Sequence, residues 1–326
     1  MIDPAKRHGD NRVLALICIL LAISFASTQD AMMKWLSGAY PVQQVFLVRS
    51  LVAMSVLLPL AVSKLGWRNL LTPMWPRTFF RGFIMGTALL GFSLAIAAIP
   101  IADAITIYFT MPFFVVGLAP FLLKERPRLY RIIAMIAGFI GVLIAFKPGA
   151  GLFEPAALLA LWSAFAYGLG QMIGRTLAGH VPARTVAVHQ NFVYLLLALL
   201  LTLVFLFVDS EAASHKSLAF LTRSWSWPPF SDAVVMLGIG LVASMGMLMF
   251  TTAYSLAESN FVAPFEYTGL LWAVVYGLIL FGDIPGYLTL AGGAIIIAAG
   301  LFMIWMDRKT LRRVSQPVGA PQAAGE

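Results

Sequence analysis

Apolar runs of about twenty residues, divided by short polar stretches, recur ten times along the chain. They extend from Val13 to Leu36, Val42 to Val62, Phe79 to Ile99, Ile101 to Leu123, Arg131 to Phe146, Pro155 to Arg175, Ala183 to Val208, Ala233 to Leu256, Asn260 to Phe281, and Gly286 to Met306. A helix rising about 1.5 Å per residue needs about 20 apolar residues to cross a hydrocarbon layer about 30 Å thick. The runs are continuously apolar, without the alternation of a barrel strand. The pattern predicts an all-α integral membrane protein with ten transmembrane helices.

The chain also matches itself. Residues 24–49 align with 165–190 at an offset of 141, pairing Asp30 with Gln171, Lys34 with Arg175, Gly38 with Gly179, Pro41 with Pro182 and Arg49 with Gln190. A second stretch aligns at 158, pairing Gly82 with Gly240, Ser93 with Thr251, Thr110 with Thr268, Glu125 with Asp283 and Pro127 with Pro285. Two five-helix repeats are implied, residues 13–146 and 147–306. Five is odd, so the second repeat enters the membrane from the opposite side, which makes the repeats inverted.

Composition agrees: 60% of residues are hydrophobic and 11% charged, against roughly 25% charged in a soluble domain. The net charge of +8 would suit a nucleic-acid partner, but the placement of the basic residues excludes one. With the N-terminus cytoplasmic, 17 of the 22 Lys and Arg residues fall on the inner side, as the positive-inside rule requires. The expected partner is the bilayer of a bacterial inner membrane, crossed many times, with both termini cytoplasmic. Residues 1–12 form a short inner segment. Residues 307–326 form an inner tail whose end, rich in Pro and Gly, is expected to be disordered. The basic residues ahead of the first run resemble a secretory signal, but the repeat counts that run as structural. Cys18 stands alone within it, so no internal disulfide can form. The outer loop from Asp209 to Asp232 carries Trp225 and Trp227, residues suited to the membrane interface.

An ionisable group at mid-helix in a bilayer costs at least about 2.5 to 3.5 kcal/mol, so each one needs a reason. Asp30 and Lys34 stand four apart on the first helix, in the order that favours pairing, and Arg49 stands at comparable depth on the second. Two readings stay open for the three: an outer-half site or gate for an anionic substrate group, or a structural pair with interfacial snorkelling. Glu266 follows Pro264 in the ninth helix and precedes Tyr267; its repeat-equivalent is Tyr108, one turn before Pro112. Proline frees a carbonyl that a polar cavity tolerates and lipid does not, so Pro112 and Pro264 mark two kinked helices lining a pathway. Glu266 suits a coupling proton, a cationic substrate group or a helix contact. Gln171, Gln190, Tyr254, Tyr167, Tyr194, Asn191 and His189 also fall within helices, where each alone is as well explained by bridging neighbours. Gly292 and Gly293 suit close helix packing.

These residues resemble the EamA-type members of the drug/metabolite transporter superfamily. The likeness spans residues 13–306 and rests on Asp30-Ala31 to Lys34-Trp35 followed by Arg49, on Lys124-Glu125-Arg126-Pro127, and on Ala263-Pro264-Phe265-Glu266-Tyr267 leading to Phe281-Gly282-Asp283. It implies a cavity bounded by helices 1, 3, 4, 6, 8 and 9, and a carrier of a small organic metabolite such as an amino-acid derivative, a vitamin or a nucleotide-like compound. Import and export are both admitted, as are a coupling proton and a homodimer. Asp283 replaces the Glu usual in the second acidic turn. No catalytic, metal or cofactor motif is present, and the rival of an intramembrane aspartate enzyme would need Asp30 and Asp103 to touch. A channel-like pore is the other alternative.

Overall fold

A computed structural model describes residues 12–122, 129–146, 154–177, 180–206, 215–256 and 262–314, and among them every regular element is helical. The elements are α1 (Arg12–Leu36), α2 (Val42–Leu65), α3 (Trp75–Ala98), α4 (Ile101–Tyr108), α5 (Met111–Leu122), α6 (Leu129–Phe146), α7 (Ala156–Leu177), α8 (Ala183–Leu206), α9 (Lys216–Thr222), α10 (Phe230–Leu256), α11 (Thr268–Tyr276) and α12 (Tyr287–Val314). A 3₁₀ turn over Ala263–Tyr267 leads into α11, and a π turn over Gly277–Phe281 follows it. The turn Lys124-Glu125-Arg126-Pro127, the first residues of the chain, the start of the loop from Asp209 and the C-terminal tail beyond Val314 lie outside the described residues.

Among the described residues, eight helical segments are long and apolar enough to cross a membrane. Leu129–Ile144 and Phe265–Phe281, the fifth and ninth of the expected spans, are apolar but shorter. Three boundaries differ from the hydropathy pattern. Helix α3 starts at Trp75 rather than Phe79, because Pro76 is preorganised for the first helical turn and lacks only an N–H that would be unpaired there. Helix α12 runs on past Met306 to Val314. The fourth span is broken into α4 and α5: Pro112 has no N–H to offer the Tyr108 carbonyl, and the Thr110 N–H turns back to Ile107 at 3.0 Å in a tighter turn.

Lipid replaces water around the exterior, so the distribution of residue sizes is unlike that of a soluble protein. Phe80, Leu203, Ile279 and Phe121 point outward, whereas Ala31, Ala95, Ala104, Ala160 and Ala164 are buried. Without a hydrophobic drive between helices in lipid, small residues let backbones approach and gain dispersion contacts. Helix α1 packs on α10, α3 on α7, α2 on α8, and α6 on α12. Where α6 crosses α12, a Cβ on Gly141 would come within 2.8 Å of the Gly292 carbonyl oxygen.

One end of the bundle is tied by polar contacts. Arg223 donates to the Ser37 carbonyl at 2.7 Å, Gln44 donates to the Ser226 carbonyl at 2.8 Å, and the Tyr40 hydroxyl donates to Asp232 at 2.7 Å. Trp227 beside them is 98% exposed, the position an interfacial anchor would take.

A Cβ on Gly240 would lie 2.6 Å from the Arg49 carbonyl oxygen and 2.5 Å from the Val52 Cβ, a clash with backbone that no rotamer relieves. Gly240→Val is expected to destabilise the detergent-purified protein by about 1 to 3 kcal/mol, while Gly38→Ala, whose Cβ would stand 3.8 Å from its nearest neighbour, leaves the thermal midpoint unchanged. Differential scanning fluorimetry distinguishes the two.

Candidate functional site

Helix α2 carries Gln43, Gln44, Arg49 and Ser50 on buried positions of its first two turns. Arg49 is only 8% exposed, and its Nε and one terminal nitrogen donate to the Gln29 Oε1 at 3.2 and 3.0 Å. Its guanidinium carbon stands 5.5 Å from the centre of the Tyr194 ring, in cation–π range. Asp30, next to Gln29 on α1, is half-buried and within electrostatic reach of both Arg49 and Tyr108.

Lys34 does not join this group. The spacing on α1 favours a pair with Asp30, but the Lys34 ammonium donates instead to Asp283 at 2.8 Å and to the Ile99 carbonyl at 3.0 Å, and lies 5.1 Å from the centre of the Phe281 ring. The turn after the ninth span thus offers a carboxylate and an aromatic face, while Asp30 interacts with the Gln29 side chain and lies within electrostatic reach of Arg49. The expected triad resolves into an Asp30–Arg49 grouping and a separate Lys34–Asp283 ion pair.

The break between α4 and α5 places Tyr108 beside Tyr167 of α7, with ring centres 5.5 Å apart, and Phe92 covers the other side at 5.4 Å. Gln171 donates to the Tyr167 hydroxyl at 2.9 Å. Glu266, in the 3₁₀ turn, interacts electrostatically with Tyr108, Tyr167 and Tyr267. Tyr267 stacks edge-on against Phe109 at 5.0 Å, and its hydroxyl rests against Gly300 of α12. The 3₁₀ turn that contains Pro264 carries Glu266 and Tyr267. The side chains of Tyr254 and Pro264 lie outside the described residues.

Gln190 donates to the Tyr194 hydroxyl at 2.7 Å and accepts from Arg81 of α3 at 2.5 Å, and the Arg81 Nε donates to the Gly170 carbonyl at 3.1 Å. Asp30, Arg49, Tyr108, Gln171, Gln190, Glu266 and Tyr267 therefore belong to one polar region built from α1, α2, α4, α7, α8 and the turn before α11. Four contributors escape the sequence pattern. Arg81 precedes most of its apolar run and counts there as a loop residue, although Trp75-Pro76 signals an earlier helix start. Gln29 has no charge to mark it. The Thr28 and Tyr276 hydroxyls, 2.7 Å apart, join α1 to α11. His189 and Asn191 bridge helices: the His189 ring nitrogens lie 2.8 Å from the Thr78 hydroxyl and 2.9 Å from the Leu70 carbonyl, and Asn191 donates to the Ser50 carbonyl at 2.9 Å. Among the described residues no group of three or more His, Cys, Asp and Glu could hold a metal ion.

Residues 13–147 match the EamA-like transporter family. The riboflavin transporter of Rhizobium johnstonii is 32% identical over 223 residues, covering 68% of this chain and 67% of that protein. The chain belongs to the EamA-like transporter family. Other members align over nearly their whole length: the S-adenosylmethionine uptake transporter of Rickettsia bellii, 24% identical over 90% of this chain and 94% of that protein, and the pseudopaline exporter CntI of Pseudomonas aeruginosa, 27% identical over 87% and 93%. A solved crystal structure shares the fold with a TM-score of 0.61 at 17% identity, covering 91% of this chain and 98% of that one. This family member is accordingly a multi-pass membrane transporter of small metabolites, not an enzyme.

The Lys34–Asp283 contact joins distant parts of the transporter and is partly shielded, with the two side chains 13% and 28% exposed. Lys34→Met or Asp283→Asn alone is expected to cost on the order of 1 kcal/mol, and the exchanged pair Lys34→Asp with Asp283→Lys to recover at least half of the lost thermal midpoint.

Proposed function

We propose that this transporter is a secondary carrier working by alternating access, with ten spans in two inverted halves, residues 13–146 and 147–306, both termini cytoplasmic, in a bacterial inner membrane. The substrate is a small organic metabolite held between the Asp30–Arg49 grouping and Glu266 with its tyrosines. Substrates named for relatives, S-adenosylmethionine, riboflavin and pseudopaline, delimit the search, and both uptake and export are represented among them.

The observation that carries this reading is the convergence of costly polar groups from both halves on one region within the spans: Asp30, Arg49 and Tyr108 from the first, Tyr167, Gln190 and Glu266 from the second. Such groups inside a membrane protein belong to a substrate or ion path.

Packing supports the two-fold organisation. Exchanging the halves turns the α1–α10 contact into α7–α3, turns α2–α10 into α8–α3, and returns α2–α8 and α6–α12 to themselves, and all of these contacts occur. The agreement reaches individual atoms. A Cβ on Gly82 would meet the Val193 Cβ at 3.1 Å and the Gln190 Cα at 3.2 Å, while one on its repeat-equivalent Gly240 would meet Val52 and Arg49, the equivalents of Val193 and Gln190. Among the described residues, the fourth and ninth spans, equivalent in the two halves, are interrupted, and each interruption adjoins or contains a proline, Pro112 or Pro264. Alternating access then consists of one half rocking against the other around a fixed polar centre, with Glu266 placed to accept a coupling proton or a cationic substrate group.

Uptake into proteoliposomes tests the reading. Saturable transport of S-adenosylmethionine, riboflavin or a related metabolite is expected, with at least a tenfold loss in Arg49→Gln and in Glu266→Gln. Flux that stays linear with concentration would point to a pore, and two variants that transport like the wild type would remove the assigned site.

A further inference from the structure

Arg81 is a second guanidinium within the spans, and its surroundings repeat those of Arg49 through the inverted relation. Positions 29 and 170 are equivalent at the 141-residue offset, as are 49 and 190. Position 29 supplies the acceptor for Arg49 through the Gln29 side chain, and position 170 supplies the acceptor for Arg81 through its backbone carbonyl, at 3.1 Å. The second half has Gln190 where the first has Arg49. The guanidinium missing there comes from α3, since Arg81 bonds the Gln190 Oε1 at 2.5 Å.

Both charges converge on one tyrosine. Tyr194 is the twelfth of the 24 residues of α8, about midway through its span. Arg49 covers the Tyr194 ring, and Arg81 reaches the hydroxyl through Gln190. Arg49 is the eighth residue of α2 and Arg81 the seventh of α3, consecutive spans that cross in opposite directions, so the two guanidiniums approach the midplane from opposite faces. Their hydrogen bonds go to neutral amide oxygens, and among the described residues no carboxylate stands within ion-pair distance of either. A guanidinium has five N–H donors in a fork that matches a carboxylate. Each makes two of those bonds here, so donors remain for a ligand without first breaking an ion pair.

We propose that Arg49 and Arg81 are two stations for the carboxylate of the transported metabolite, Arg49 engaging it from the outer side, Arg81 from the inner side, and Tyr194 marking the passage between them. This rests on the carrier reading above and adds a residue and a ligand class to it. Asp30 lies within electrostatic reach of Arg49, and Asp283 pairs with Lys34, which leaves Arg81 without an acid partner among the described residues. A carboxylate brings the counter-charge that this guanidinium lacks and matches its fork.

Transport of matched pairs tests the assignment: S-adenosylmethionine against its decarboxylated analogue, histidine against histamine, and riboflavin as a compound without a carboxylate, each in proteoliposomes. The wild type is expected to favour a carboxylate-bearing member at least tenfold over its partner. Arg81→Gln is expected to abolish that preference mainly by raising KM, and Arg81→Lys to keep part of it, in samples whose thermal midpoint matches the wild type. Carboxylate transport within twofold of wild type in Arg81→Gln, alongside losses in Arg49→Gln and Glu266→Gln, would overturn this inference and leave the carrier standing. A wild type that moves only carboxylate-free compounds would do the same. A folded wild type that moves nothing in the panel would overturn both.

Discussion

The structure depends on one constraint: in hydrocarbon, a polar group has only the protein for a partner. Helices satisfy their backbones internally, and this alone dictates the architecture of apolar runs. The same constraint governs their contacts. Leu and Phe gain little by leaving lipid for a helix interface, so many of them face outward, and alanine and glycine occupy the closest crossings. Gly82 and Gly240 bring α3 and α10 against α8 and α2 closely enough for side chains in the next turns to meet across the bundle. Close packing by small residues thus sets the dimensions of the polar region.

Breaks in the helices follow from the same rule. Pro112 leaves the Tyr108 carbonyl without its helical partner, and the chain answers with a tight turn at Thr110 rather than a continued helix. That turn separates α4 from α5 and presents Tyr108 to Tyr167. The 3₁₀ turn before α11 does the equivalent for Glu266 and Tyr267. Both of these interruptions sit beside candidate chemistry, where polar neighbours can compensate irregular backbone.

How much of this was legible in the sequence varies with the physics that reports it. Hydropathy locates the spans because transfer into lipid is a property of each residue and sums along the chain. Asp30, Arg49 and Glu266 stand out for the complementary reason, since each is expensive where it lies. Partner choice was not legible. Lys34 has two acids within its possibilities, Asp30 one turn away and Asp283 about 250 residues on, and local spacing favours the nearer. The fold decides otherwise by adding a carbonyl and a ring beside the farther. Arg81 was hidden by a boundary: the apolar run starts at Phe79, so the four helical residues before it read as loop and Arg81 falls at the edge of the run. Neutral contributors such as Gln29 and Thr28 carry no cost large enough to mark them.

The choice of amides as partners for Arg49 and Arg81 has a consequence for transport. A carboxylate on each would fix the guanidinium more firmly, but it would also neutralise it, and a substrate anion would then have to displace a bonded counter-charge from a medium that resolvates nothing. Breaking such a pair costs several kcal/mol in a shielded site. An amide oxygen satisfies the geometry of the fork and leaves the charge in place. Asp30 stays within electrostatic reach of Arg49 without occupying its donors. Folded this way, the protein keeps its charges oriented while their hydrogen-bonding capacity stays open, the condition under which a ligand can bind and leave at comparable cost.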